Sequence, residues 1–178
     1  ARLVARGDKQ IKGKDYKCTF SPVARFTTVR VLIALASAKQ WALHQLDINN
    51  AFLHGFVDEE LYMQPPPGYN CLPGLVCRLK RSLYGLRQAA RQWNVELTKH
   101  LLELGFTQSK QDYSLFIKSN SITGDFTAVL AYVDDLLLTG NQICHIQAVK
   151  TSLHKAFTIK DLGELAYFLG IEVSRTDF

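Results

Sequence analysis

The run Phe126 to Gly140, FTAVLAYVDDLLLTG, constrains this chain more than any other part of it. Apolar residues occupy both parities of the run, from Ala128 to Val133 and again from Leu136 to Leu138, around one pair of carboxylates, Asp134 and Asp135. A strand that is apolar on one parity can lie on a wet surface, whereas a strand apolar on both is covered on both faces. The run therefore reads as two strands joined at Val133-Asp134-Asp135, inside a sheet rather than at its edge. Two like charges a few Å apart and partly desolvated cannot both stay ionised without a compensating cation. A surface hairpin in which Asp merely favours turn geometry is the plainer alternative, and the residues alone leave both open.

Asp47 is the second carboxylate out of place. It closes WALHQLDI (41–48), which reads as a partly apolar strand, and its plain alternative is an ordinary strand-end or N-cap aspartate. If this strand pairs with the hairpin, Asp47, Asp134 and Asp135 converge. Three carboxylates in one place offer hard oxygen ligands to a divalent cation, and Mg2+ in particular takes one or two carboxylates together with substrate phosphates. Two such ions about 4 Å apart activate an attacking hydroxyl and stabilise a leaving pyrophosphate, the arrangement of phosphoryl transfer.

Charge along the chain agrees with phosphate chemistry. The 178 residues carry 21 Lys+Arg against 16 Asp+Glu, but residues 1–30 hold eight basic against two acidic side chains, and residues 78–99 hold six against one. Everything else is net acidic. Two basic lobes around acidic segments suit a polyanion, since each neutralised phosphate releases counterions and adds affinity; a solvated basic surface is the alternative. With 47% hydrophobic residues the chain can bury a core, which excludes disorder, collagen and coiled coil. Cys18, Cys71, Cys77 and Cys144 lack zinc spacing and read as free thiols of a reducing compartment. No apolar run approaches about 18 residues and the start ARLVARGDKQ has no apolar signal region, so neither a membrane span nor secretion is expected. Met63 is the sole methionine and the chain stops at SRTDF, so it reads as a piece of something longer.

The remaining elements follow from periodicity. Thr27 or Thr28 is the expected N-cap of a helix through VRVLIALASA, and NNAFLHG opens a turn or short helix. YMQPPPGYNCLPG (62–74) carries four of the five prolines and reads as an irregular loop. Ala89, Trp93, Leu97, Leu101 and Leu104 recur at steps of three and four, which predicts a helix over 88–104 with Gly105 as its C-cap. HIQAVKTSLHKAF predicts a second amphipathic helix and AYFLGIEVS a strand. This mixed order predicts an α+β fold, an antiparallel sheet backed by helices.

Five motifs in order then resemble the reverse transcriptases of copia-type LTR retrotransposons: LDINNAFLHG (46–55), SLYGLRQA (82–89), YVDD (132–135), KDLGEL (160–165) and YFLGIE (167–172), with TFSPV (19–23) and RQW (91–93) also similar. A lone YVDD is a weak match; five ordered motifs spanning the chain are specific. Asn50 and Ala90 stand where many members of the family have threonine and proline, and neither change removes a catalytic group.

The resemblance implies a right-hand polymerase fragment. Residues 1–40 and about 55–90 would be finger-like, 41–54 and 90–178 palm, and thumb, connection and RNase H would be missing. It implies RNA-directed DNA synthesis on an RNA or DNA template with primer, using dNTP and two Mg2+ ions, with Mn2+ a possible substitute. Asp47, Asp134 and Asp135 would be the metal-binding carboxylates, with the backbone carbonyl of Ile48. Lys160 would stand where a lysine protonates the departing pyrophosphate; a solvent-facing lysine is the alternative. Phe52 resembles the steric gate against a ribose 2′-hydroxyl, or is simply a packed core side chain. Tyr84, Gly85 and Leu86 fall in the motif that lines nucleotide and template, and Arg2 or Arg6 are the candidates for the triphosphate. Tyr132, Val133 and Arg87 would meet nucleic acid, Arg87 and Arg91 being equally readable as plain helix cations. Tyr167, Phe168, Leu169 and Gly170 resemble the hairpin that grips the primer terminus, though a core strand has the same composition. Expected partners are the rest of the Pol polyprotein (thumb, RNase H, integrase) and no membrane, and the expected location is the cytoplasm, in the element's virus-like particle. Two other readings compete: a catalytically inactive remnant of a degenerate element with at most weak nucleic-acid binding, and a metal nuclease or other nucleotidyltransferase, which leaves SLYGLRQA and YFLGIE unexplained.

Overall fold

The computed structural model describes residues 3–70 and 72–174. After a 3-10 turn at Gly7–Lys9, helix α1 (Phe26–Ala38) leads into strand β1 (Ala42–Ile48), a 3-10 turn at Ala51–His54, β2 (Phe56–Met63) and β3 (Cys77–Arg81). Helix α2 (Ala89–Glu103) precedes β4 (Thr107–Gln108), β5 (Leu115–Asn120), β6 (Asp125–Tyr132) and β7 (Asp135–Gly140). Helix α3 (Ile143–Ala156), β8 (Ile159–Glu164), β9 (Tyr167–Phe168) and β10 (Ile171–Glu172) follow. This is the α+β mixture the sequence predicts. The chain divides into two compact units, Ala1–Pro22 with Asn50–Lys99, and Val23–Asn49 with His100–Phe178. Residues 23–40, grouped from the sequence with the finger-like portion, thus belong to the second unit, and residues 50–54 and 90–99, grouped with the palm, to the first. Among the described residues no helix is long and apolar enough to cross a membrane.

The second unit is built on an antiparallel sheet ordered β4-β5-β6-β7-β1-β8. The doubly apolar hairpin supplies its two middle strands, buried continuously over Thr127–Ala131 and Leu136–Gly140, as expected for strands covered on both faces. On one face Leu43, Ala128, Leu130 and Leu137 pack with Val29, Leu32 and Ala36 of α1 and with Leu165 and Phe168. Full burial of each such leucine is worth about 1.5–3 kcal/mol, so the unit's stability resides here.

The start of α1 differs from expectation. The N-cap position is Arg25, whose side chain makes no capping bond, and neither Thr27 nor Thr28 caps the helix. The buried carboxylate of Asp112 does so instead, accepting from the Arg25 backbone N–H at 2.9 Å and from the Thr28 hydroxyl at 2.6 Å. An anion at a helix N-terminus satisfies orphan donors and meets the positive end of the dipole. Burial alone would raise the Asp112 carboxyl, but the Thr28 hydroxyl and the Arg25 and Ser114 amides outweigh it and hold the group below the usual range.

Helix α2 carries the predicted apolar stripe, with Ala89, Trp93, Leu97 and Leu101 buried. It stops as predicted at Gly105, whose φ of 83° lets the Gly105 and Phe106 amides donate back to Leu102 and Leu101.

The first unit rests on less sheet. Strands β2 and β3 form a two-stranded antiparallel ribbon with an irregular register, and the irregular proline-rich stretch begins only after Met63. Around a small core of Ala5, Leu61, Leu86 and Ala89 the unit is tied by polar side chains. Buried Gln88 accepts from Gln10 and donates to the Asp15 carbonyl and Glu59, and buried Gln92 donates to Asp58.

Candidate active site

Strand pairing brings the sequence-predicted carboxylates into register. Asp47 on β1 is directly opposite Asp135 on β7, Asp135 is opposite Tyr132 on β6, and Asp47 is opposite Lys160 on β8. Directly opposed residues of antiparallel strands share a face. Tyr132, Asp135, Asp47 and Lys160 therefore form one row across four adjacent strands. Asp134 stands beside the row in the two-residue turn between β6 and β7, and its carbonyl accepts from the Ile48 backbone N–H at 2.8 Å, which fastens the turn to β1. The turn's other residue, Val133, has a φ of 57°. A β-branched side chain is strained there, and such strain persists only where surrounding structure holds it.

Asp135 is half-buried and receives the side-chain N–H of Gln45 at 3.2 Å. Burial pushes its carboxyl up, the Gln45 bond works against this, and the charges of Asp134 and Asp47 push it further up, so the group sits above the ordinary carboxylate range. Among the described residues no three His, Cys, Asp or Glu side chains group so as to hold a metal ion, so the aspartates are neighbours rather than a formed ligand cage. The donor set nonetheless suits a hard divalent cation: three carboxylates, one destabilised by the other two, are relieved by positive charge.

Two contributors to this region escaped the sequence reading. Gln45 lies two residues before Asp47 on the same pleat face, on which only Leu43 of the strand is buried, and nothing in the sequence marks it. Lys150 is 6% exposed on α3, in the same stripe as Ile146, Val149 and Leu153. Its ammonium donates to both oxygens of Asp161, at 3.0 and 2.8 Å, and to Nδ1 of His44 at 2.9 Å. Since an ammonium only donates, Nδ1 accepts and His44 is neutral. Burial, then the nearby Lys150 charge, lowers the His44 pKa, and Asp161, despite burial, is lowered by the Lys150 bond.

Tyr167 to Gly170 lie in a short hairpin of β9 and β10. Phe168 pairs with Ile171, and Leu169 and Gly170, with φ of 48° and 84°, make a two-residue hairpin turn. Phe168 is core while Tyr167 is exposed.

The candidates of the first unit lie as follows. The Phe52 and Tyr84 rings are 4.7 Å apart, and Phe52 also packs on that unit's core. The neighbour that Gly85 admits is the chain itself. A Cβ there would stand 2.1 Å from the Ala5 carbonyl oxygen, and Ala5 N–H donates to the Tyr84 carbonyl at 2.7 Å. Arg87 is no free helix cation: its Nε donates to the Gly7 carbonyl at 2.8 Å, and its backbone N–H donates to Gln10. Arg91 is paired more loosely, to the Phe20 carbonyl. Exposed Arg6 pairs with Asp8 at 2.8 Å. Arg2 lies outside the described residues.

A family model described as "Reverse transcriptase (RNA-dependent DNA polymerase)" matches residues 1–177. The chain is 45% identical to the Retrovirus-related Pol polyprotein from transposon RE1 of Arabidopsis thaliana, with 98% of this chain and 12% of that protein covered. It is 38% identical to the corresponding polyprotein from transposon TNT 1-94 of Nicotiana tabacum, over 98% of this chain and 13% of that protein. With the Transposon Ty1-NL2 Gag-Pol polyprotein of Saccharomyces cerevisiae the identity is 31%, over 97% of this chain and 10% of that protein. The chain thus spans about an eighth of the length of the first two relatives, which are transposon Pol polyproteins. From the row of opposed carboxylates on β1 and β7 to the match along its whole length, the chain belongs to the reverse transcriptase (RNA-dependent DNA polymerase) family, in its copia-type transposon branch.

Proposed function

We propose that this chain is the polymerising part of a transposon Pol polyprotein and copies a template, RNA or DNA, by attack of a primer 3′-hydroxyl on the α-phosphate of a dNTP. The observation that carries this reading is the opposed pair Asp47 and Asp135, with Asp134 in the adjoining turn. In this reading Asp47, Asp134 and Asp135 hold Mg2+, with Mn2+ a substitute and the Ile48 carbonyl a further oxygen. When bound, the metal supplies charge neutralisation for the phosphates and lowers the pKa of the attacking hydroxyl. Gln45 orients Asp135 through the hydrogen bond its side-chain amide donates. Val133 and Asp134 hold the turn tight. Lys160 gives a proton to the departing pyrophosphate, a role that its position opposite Asp47 supports.

The remaining assignments are proposals of the same kind. Phe52 excludes the ribose 2′-hydroxyl, and Tyr84 and Gly85 line the nucleotide. Arg6 and Arg2 meet the triphosphate. Tyr132, Arg87 and the Tyr167–Gly170 hairpin meet nucleic acid. The first unit, with twelve basic against six acidic side chains, corresponds to the finger-like portion, and the second, near neutral, to the palm. Other Pol segments (thumb, RNase H, integrase) complete the grip on duplex, inside a cytoplasmic particle of the element.

Primer extension by the Pol polypeptide containing this chain tests the reading. Asp134→Asn is expected to lower the extension rate on the order of 10²-fold or more, as loss of several kcal/mol of charge stabilisation requires. Equal extension by parent and variant overturns it.

A further inference from the structure

We propose that Lys150 is a register lock: through Asp161 it fixes how β8 lies on β1, and so decides that a lysine rather than an aspartate stands beside Asp47. The functional weight of that choice rests on the polymerase reading above; the register itself does not.

The argument begins with an irregularity. From Ile48 opposite Ile159 the pairing of β1 with β8 runs regularly to Leu46 opposite Asp161, and then shifts, so that Gln45 faces Gly163 and Leu162 has no partner. One side chain shapes this bulge. Asp161 Oδ1 accepts from the Gly163 backbone N–H at 2.9 Å, and Gly163 has a φ of 78°, open to glycine and costly to other residues. The same carboxylate takes both hydrogen bonds from Lys150.

Pairing parity then separates two faces. Asp161 opposes Leu46 and shares its face, on which His44 also lies, and there it meets α3 through Lys150. Lys160 opposes Asp47 on the other face. A slip of one residue exchanges the two. Asp161 would then stand opposite Asp47, adding a fourth carboxylate to Asp47, Asp134 and Asp135, while Lys160 would turn towards Lys150. The buried ammonium penalises that arrangement twice: it loses the Asp161 carboxylate and gains a like charge. His44 cannot replace Asp161, since as a neutral acceptor it supplies no negative charge. β8 is also weakly specified by its own apolar pattern. Ile159 and Gly163 are half-buried and the other four residues exposed, so hydrophobic alternation does not choose the register. A charge buried on the opposite face does. Lys150 is thus a positioning residue acting through Asp161 and the bulge.

Nuclear Overhauser contacts on this 178-residue chain read the register directly. The parent and Lys150→Arg are expected to show backbone contacts between Asp47 and Lys160. In Lys150→Met these contacts weaken or give way to contacts between Asp47 and Asp161, while the β6–β7 pairing persists. Should Lys150→Met not fold, Lys150→Met with Asp161→Asn, which removes both charges without adding an apolar side chain at 161, carries the same expectation, read between Asp47 and position 161. Asp47–Lys160 contacts of parental intensity in whichever of these variants folds overturn the proposal. A second measurement uses the Pol polypeptide containing the chain. Lys150→Met lowers kcat for primer extension on the order of tenfold or more with KM for dNTP little changed, and adds little to Lys160→Met, because both remove the same proton donor. Additive losses overturn the link to Lys160. A parent polypeptide that extends no primer defeats the polymerase reading alone, and the Overhauser contacts still decide the register.

Discussion

The two units of this chain are held together by different means. The second is a six-stranded sheet whose middle strands are apolar on both faces, and it carries the row of Asp135, Asp47 and Lys160. The first has a two-stranded ribbon, a small core, and a knot of glutamines, Arg87 and backbone groups pressed against one another. Hydrophobic burial is non-directional and tolerant, whereas a polar knot works only when each donor meets its acceptor. The sheet unit should therefore lose stability in graded steps as apolar volume is removed. The knotted unit should fail at single backbone contacts.

The largest expected effect breaks the knot. Gly85→Ala places a methyl group against the Ala5 carbonyl at a φ of 91°, and both the strain and the collision fall on backbone that cannot step aside. The sum is about 2–6 kcal/mol. Hydrogen exchange should show lost protection at the Ala5 amide and in β2 and β3, with β6 and β7 unchanged. Collapse of all protection together would mean that the two units are one cooperative body. The converse variant, Leu137→Ala, empties the sheet core and should cost about 2–5 kcal/mol, read from denaturant midpoints.

A smaller effect sharpens the comparison inside the sheet unit, where one polar contact does matter. Asp112→Ala removes the group that caps α1 and leaves the Arg25 and Thr28 donors without their partner, for about 1–3 kcal/mol. The sign with pH follows from its lowered pKa. Ionised Asp112 contributes fully above the ordinary carboxylate pKa of about 4, and the contribution is lost as pH falls through its own lower value. The difference in melting temperature between parent and variant should therefore narrow as pH drops from about 5 towards 2. A constant difference would show that the cap does not depend on charge.

Legibility in the sequence follows the same divide. The β6–β7 hairpin, the stripe of α2 and its stop at Gly105 are written in local composition and periodicity, and the structure keeps them. The α1 cap was misread because local residues, Thr27 and Thr28, were the natural candidates, whereas the cap is Asp112, more than eighty residues away. The ribbon of β2 and β3 was missed because its strands expose most of their residues, Leu61 alone being buried, and because the inward parity of β2 mixes Glu59 with Val57, Leu61 and Met63, so its alternation of burial does not show in hydropathy. Facing acidic DEE against basic RLKR was the signal it did offer. β8 went unassigned for a related reason, its register resting on Lys150 rather than on its own residues. In the site, Asp47, Asp134 and Asp135 were legible because a carboxylate in an apolar strand is conspicuous. Gln45 was not, because an amide beside a carboxylate declares its role only when the strands are paired.

Strand order also has a consequence in time. β1 lies between β7 and β8, and the contact of Gln45 with Asp135 joins residues 90 apart in the chain. At a synthesis rate of about 5–20 residues per second, β1 leaves the ribosome several seconds before either neighbour exists. For that interval its edges are unpaired templates for other strands, and closing so long a loop is slow. The row of Asp47, Asp135 and Lys160 is therefore among the last features to form, and a nascent chain interrupted before β8 carries Asp47 without its lysine. Synthesis of β8 thus acts as a timer on the appearance of the row.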